Sequence, residues 1–112
     1  MQRFAEKTRL GIPLTIASDP RNHFSAAFFA MSAKSFSKWP EPLGLAAIGD
    51  DKEMEEFANI SRQEYIAVGI RQALHPQVDL ATEPRWPRIS GTFGEDAALS
   101  SRLGVAYIKG YQ

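Results

Sequence analysis

Apolar positions along the chain change period several times. Residues 3–10 mix good helix formers with Phe4, Ala5 and Leu10, and Gly11 stands where a helix commonly ends in a left-handed turn. Residues 12–17 then run apolar and β-branched for the length of a buried strand, with Pro13 near the start, where no ladder donor is needed. Ser18, Asp19 and Pro20 close that run with a polar cluster. The clearest helical period covers residues 52–68, where Met54, Phe57, Ala58, Ser61, Tyr65 and Val68 recur at steps of three and four. Asp50 or Asp51 is placed to cap its first turn, Glu53, Glu55 and Glu56 favour the positive end of its dipole, and Gly69 stops it.

A second strand is predicted over residues 73–80, although Pro76 demands an end or a bulge there. A turn-rich loop covers 81–95, and a last helix runs from 97 to 111 with Asp96 as its cap. Leu99, Leu103, Ala106 and Gly110 mark one face of it. Val105 and Ile108 widen the apolar surface, so both flanks are expected to pack. The segment 20–44 follows no clean period, yet holds Phe24, Phe28, Phe29, Met31, Phe36 and Trp39. These rings are expected to pack on structure outside the chain rather than to form a ligand cage.

Helix, strand, helix, strand, helix is the alternation of an α/β protein with parallel strands. Two parallel strands cannot cover their own edges, and both strands have the composition of strands buried on two faces. The pattern therefore predicts a partial (β/α)8 TIM-type barrel, about two parallel strands with flanking helices. A complete barrel of that kind takes about 250 residues.

Composition narrows the classes without choosing one. The chain has 112 residues, 44% of them apolar and 23% charged, which suits a folded domain rather than a disordered segment. Thirteen basic residues balance thirteen acidic ones, so no overall field draws in nucleic acid or an anionic membrane. No stretch is apolar for the roughly 20 residues of a bilayer-spanning helix. The first seven residues carry charges of both signs and lack the apolar core of a signal peptide. Without cysteine there are neither disulfides nor thiolate metal sites. No metal or other cofactor is expected.

In α/β barrels the residues just after each strand line the active-site face. Ser18-Asp19-Pro20-Arg21 and Glu83-Pro84-Arg85-Trp86-Pro87-Arg88 occupy those places. A carboxylate accepts from two neighbouring hydroxyls and an arginine donates from a planar fork, which suits a sugar. Spacing alone favours charges that pair with one another and hold the loops.

The run Pro76-Gln77-Val78-Asp79-Leu80-Ala81-Thr82-Glu83-Pro84-Arg85-Trp86-Pro87-Arg88-Ile89, followed by Phe93-Gly94-Glu95-Asp96, resembles the N-terminal barrel of glycoside hydrolase family 3. Members carry a similar "P-x-x-D-x-x-R-D-P-R-W-G-R" and then "F-G-E-D". Leu10-Gly11-Ile12-Pro13-Leu14-Thr15 resembles their early strand, and Trp39-Pro40-Glu41-Pro42-Leu43-Gly44-Leu45-Ala46 their "F-P-x-x-L-G-L-A-A". The likeness covers nearly everything except about residues 24–34. It departs from the pattern at Pro87, where many members have glycine, and at Glu83, where aspartate is usual; a proline there fixes its own φ beside Arg88.

The resemblance implies a β-glucosidase-like hydrolase that cleaves terminal β-D-glucosidic bonds by the retaining route, acting on a β-glucoside or oligosaccharide. It places the sugar-gripping aspartate at Asp19 and the sugar-contacting arginine at Arg88. His23 has only a loose counterpart. Catalysis by this route needs a carboxylate nucleophile and an acid/base, and the resemblance puts both beyond Gln112, in the rest of the barrel and a following domain. No catalytic residue is therefore assigned; Asp79 is expected to order its loop, and Glu95 and Asp96 to favour the start of the last helix. Arg85 is expected in an internal ion pair and Trp86 as a loop anchor. The intact enzyme is expected in the periplasm or outside the cell. The alternatives are a non-catalytic carbohydrate-binding or structural remnant, or a member with β-xylosidase or β-N-acetylglucosaminidase specificity.

Overall fold

The computed structural model describes residues 1–18 and 36–112. Its elements run α1 (Gln2–Ala5), β1 (Ala17–Ser18), α2 (Pro42–Ile48), α3 (Asp51–Ala67), β2 (Gln72–Ala73), a 3-10 turn (Ile89–Gly91) and α4 (Ala97–Tyr111). β1 and β2 pair in parallel, Ala17 opposite Gln72 and Ser18 opposite Ala73. The expected parallel α/β arrangement is thus present, with α2 and α3 in the crossover between the strands. The described residues contain no further strand.

Both strands are much shorter than the sequence pattern predicts, and each has a local cause. In the first, the Gln2 carboxamide donates to the Leu14 carbonyl at 2.7 Å and accepts from the Leu14 amide at 2.8 Å. One side chain thereby does for Leu14 what a neighbouring strand would do. Ladder bonds begin only at Ile16, whose carbonyl accepts from Arg71 and Gln72. In the second, Leu74 still donates to Ser18, but Pro76 has no amide hydrogen to continue the ladder. The apolar residues of these segments are not buried: Ile12 is 63% and Leu74 76% exposed, with Leu14, Ile16, Val78 and Leu80 open as well. The opening helix also stops early, at Ala5, although Gly11 takes the expected left-handed φ of +61°.

The helices hold the core. Asp50 caps α3 by accepting from the Lys52 and Glu53 amides at 2.7 and 3.2 Å, and Asp96 caps α4 by accepting from Leu99 at 2.6 Å. Met54, Phe57 and Ala58 of α3 pack with Leu103, Ala106 and Tyr107 of α4, Leu45 and Ala46 of α2, and Phe93 of the preceding loop. Val68 lies off this face and is exposed. So are Val105 and Ile108, about half open, so the second flank of α4 is uncovered rather than packed.

α3 and α4 run in the same direction. Arg102 of α4 meets Asp51 and the Gly49 carbonyl at the start of α3, Tyr107 meets Phe57, and the Tyr111 hydroxyl meets Ser61 Oγ at 2.5 Å. Parallel strands with parallel helices behind them are the geometry of repeated β–α units. Sequence periodicity had not marked α2. It starts with Pro42 in its first turn, where a missing amide hydrogen costs nothing, and ends at Gly49 with φ +70°.

Of the aromatic residues in segment 20–44, Phe36 and Trp39 lie among the described residues. They pack within the chain rather than outside it: Phe36 edge-on to Tyr65 at 5.5 Å and Trp39 edge-on to Phe57 at 5.2 Å. Glu64 secures this stretch by accepting from the Ser37 amide and hydroxyl at 2.7 and 2.8 Å. Phe24, Phe28, Phe29 and Met31 lie outside the described residues.

Gly110 is a point of close approach between α3 and α4. A methyl group there would collide with the Glu55 carbonyl, the Ala58 side chain and the Asn59 amide. Glycine to alanine inside a helix ordinarily gains up to about 1 kcal/mol. Here the obstacle is mostly backbone, and overpacking of about 1–3 kcal/mol reverses the sign. Gly110→Ala is expected to lower the urea midpoint of unfolding, and an unchanged or higher midpoint would show that the helices separate without cost.

Candidate sugar-binding site

Beyond β2 the chain enters a loop whose path is fixed by its own polar groups. Ala81 donates to the Gly94 carbonyl at 3.0 Å, closing residues 81–94 into one unit. Inside it Trp86 donates to Glu83, Ile89 to Trp86 and Gly91 to Arg88, a succession of tight turns. The Thr92 hydroxyl donates to the Ile89 carbonyl at 2.8 Å and accepts from the Gly94 amide at 3.2 Å. Thr92 and Phe93 are almost wholly buried, so the end of the loop is plugged into the helical core.

Two arginines of this loop have different partners. Arg85 is bidentate to Glu83, Nε to Oε1 and Nη2 to Oε2, each at 2.8 Å, and its amide also donates to Oε1 at 2.9 Å. This is the internal ion pair expected of Arg85. Those side-chain and backbone hydrogen bonds hold the Glu83 carboxyl down at about 2, while the paired carboxylate raises the Arg85 guanidinium. Arg88 instead donates from Nη2 to the neutral Gln77 Oε1 at 3.3 Å.

Arg88 opens onto a cavity of about 100 Å³ lined by Glu41, Pro42, His75, Gln77, Pro87, Ser90 and Gly91. Three separate segments meet here: the entrance to α2, the exit from β2, and the 3-10 turn. A guanidinium, a carboxamide, an imidazole, a carboxylate and a hydroxyl around one small space can donate to and accept from several hydroxyls at once. Glu41 is the only acid among these residues, so the cavity does not itself carry the carboxylate pair of a glycosidase. Asp96 is occupied in capping α4, and Asp79 and Glu95 are exposed.

Of the two residues assigned to sugar contact, Arg88 therefore lies at a polar cavity, while Asp19 lies outside the described residues, as does His23. Trp86 is half-buried. Sequence reasoning missed Glu41, His75, Gln77 and Ser90. The signal was available for two of them, because His75 and Gln77 are polar residues directly after β2, where barrel strands present their functional groups. Among the described residues no group of three or more His, Asp or Glu could hold a metal ion, and no helix is long and apolar enough to cross a membrane.

The whole chain, residues 1–112, matches the model of the glycosyl hydrolase family 3 N-terminal domain. The chain belongs to glycosyl hydrolase family 3. Over its full length this family 3 chain is 60% identical to a periplasmic β-glucosidase/β-xylosidase of Dickeya chrysanthemi and 58% identical to β-glucosidase C of Emericella nidulans. It spans 17% and 18% of those two proteins. Among solved structures it superposes on a mutant β-glucosidase from Listeria innocua, in complex with laminaribiose, with a TM-score of 0.83 and 32% identity. That superposition covers 99% of this chain and 14% of the other.

The Glu83–Arg85 pair gives a pH prediction local to this loop. The Glu83 carboxyl is depressed from 4.5 to about 2 in the folded chain, so its contribution is full above about pH 4.5 and is lost as pH falls through about 2. A carbon-detected NMR titration of the Glu83 carboxyl is expected to show a midpoint near 2 that moves toward 4.5 in Arg85→Met. A midpoint already near 4.5 in the unsubstituted protein would mean that the pair does not persist in solution.

Proposed function

We propose that residues 1–112 are the opening part of a (β/α)8 catalytic barrel in a longer β-glucosidase-like hydrolase. In this reading the segment holds a terminal β-linked sugar, while the rest of the polypeptide supplies the reacting carboxylates. The observation that carries it is identity of 60% across the entire chain to a protein named as a periplasmic β-glucosidase/β-xylosidase. The polar cavity at Arg88 supports the same reading.

Each part of the segment has a task in this scheme. Asp19, at the exit of β1, accepts from sugar hydroxyls, and Arg88 donates to the same sugar from the loop after β2. Neighbouring parallel strands present their C-terminal ends to one face of a barrel, which brings these two groups to one substrate. Pro87 and the 3-10 turn fix the backbone on both sides of Arg88, so little backbone freedom remains to be lost there on binding. Cleavage proceeds by double displacement: one carboxylate attacks the anomeric carbon while another protonates the leaving oxygen, and water then releases the sugar. Among substrates, β-glucosides and β-xylosides fit the names of the relatives, and a periplasmic or extracellular location fits those named as periplasmic.

The test uses the full-length polypeptide that carries this segment and an aryl β-glucoside beside the corresponding xyloside. Hydrolysis with net retention is expected for the full-length protein and no turnover for the 112 residues alone. Removing a charged hydrogen-bond partner costs roughly 10- to 100-fold in kcat/KM, so Arg88→Ala and Asp19→Ala should each fall in that range. Full activity in Arg88→Ala would remove the sugar-binding role, and turnover by the isolated segment would overturn the division of labour.

A further inference from the structure

We propose that Gln77 is the positioning residue that aims Arg88 into the cavity and thereby sets its grip on the sugar. The inference rests on the sugar-binding role of Arg88 given above and deepens it.

The loop contains a direct comparison. Arg85 is committed to Glu83 through two guanidinium nitrogens, an arrangement that neutralises its charge and fills its fork. Arg88, three residues on, meets the carboxamide oxygen of Gln77 through Nη2 alone. A neutral acceptor orients a guanidinium without neutralising it and leaves most of its five donors for a ligand. A carboxylate in the same place would compete with the ligand for the fork.

The surroundings make room for this contact. Gly91 follows Arg88 in the 3-10 turn, and a Cβ at Gly91 would stand only 3.1 Å from Gln77 Oε1. The absence of a side chain there lets the carboxamide lie against the turn while it reaches Arg88. The backbone of the turn is held independently, by Gly91 donating to the Arg88 carbonyl at 3.0 Å and Thr92 to that of Ile89 at 2.8 Å. Gln77 therefore acts on the side chain of Arg88 and not on the path of the loop. That separation makes the role testable by kinetics.

The experiment measures kcat and KM of the full-length polypeptide for 4-nitrophenyl β-D-glucopyranoside in Gln77→Met, Gln77→Glu, Gly91→Ala and Arg88→Ala, and in Gln77→Met and Gly91→Ala each combined with Arg88→Ala. Gln77→Met keeps the length of the side chain and loses the acceptor. It is expected to raise KM about fivefold with a smaller change in kcat, the size expected for one hydrogen bond to a charged group that is partly exposed to water. Gln77→Glu keeps an accepting oxygen but places a carboxylate that competes with the ligand for the fork, so KM stays raised. Gly91→Ala, which crowds the carboxamide, raises KM in the same direction. In the Arg88→Ala background neither Gln77→Met nor Gly91→Ala has a further effect on KM. An undiminished effect in that background would overturn the proposal, because Gln77 would then act without Arg88. A normal KM in Gln77→Met beside a raised KM in Arg88→Ala overturns it while sparing the sugar-binding reading. A normal KM and kcat in Arg88→Ala itself removes the sugar-binding reading, and the proposal with it.

Discussion

The close approach of α3 and α4 at Gly110 is the constraint on which the remaining geometry depends. Without a side chain at that point, the last turn of α4 lies directly on the Glu55–Asn59 turn of α3. This proximity brings Tyr107 against Phe57 and lets the Tyr111 hydroxyl reach Ser61. Tyr107 and Tyr111 stack at 4.9 Å with their planes 8° apart, and Tyr111 meets Tyr65 in turn. Burial pushes the phenols of Tyr65 and Tyr111 above their usual range, so both remain neutral at ordinary pH. At the other end of the helix pair, Arg102 joins Asp51 and the Gly49 carbonyl. The two helices are held at both ends and in the middle, in one register.

That register transmits to the loop through Phe93. Its ring is almost fully buried among side chains from α2, α3 and α4, so the end of the loop is fixed by the same core that joins the helices. Thr92 and the Ala81–Gly94 hydrogen bond carry the restraint backwards, and the 3-10 turn carries it to Arg88. A functional arginine on a loop needs such support, because an arginine loses considerable side-chain freedom when it is fixed. Here the anchor is apolar and remote, while the face of the loop turned to the cavity stays polar.

The parts of this arrangement legible in the sequence are those decided locally. Asp50 and Asp96 precede periodic apolar runs, and both cap the helices they announce, because the unpaired amides of a first turn need an acceptor within a few residues. An ion pair at Arg85 is expected from the resemblance, and its partner, two positions away at Glu83, is identified by the structure. The strands were not legible. Ile12, Leu14, Leu74 and Val78 have strand-like composition, but strand formation depends on a neighbour, and among the described residues that neighbour is two residues long. α2 escaped because its seven residues, beginning at Pro42, make only about two turns of the helical period. Phe93 has no periodic companion at all. Its burial is a property of three helices drawn from distant parts of the chain.

The site divides along the same line. Family-like motifs pointed to Arg88, and its cavity then brought in residues that no motif contains as a group: Glu41 from the entrance to α2, His75 and Gln77 from the exit of β2, Ser90 from the 3-10 turn. Each is unremarkable in its own stretch of sequence. They become a site only because β2 lies parallel to β1 and α2 sits over the turn. The chemistry then depends on which arginine is left to face the ligand. Glu83 neutralises Arg85 and so removes the nearer competing charge, while Arg88 is held by an uncharged partner. Exchanging those partners would leave the composition and net charge of residues 77–88 unchanged, yet would aim the free guanidinium from the wrong position. Pairing, rather than the presence of arginines, decides which guanidinium of this loop the proposed reading offers to a neutral, hydroxyl-rich ligand.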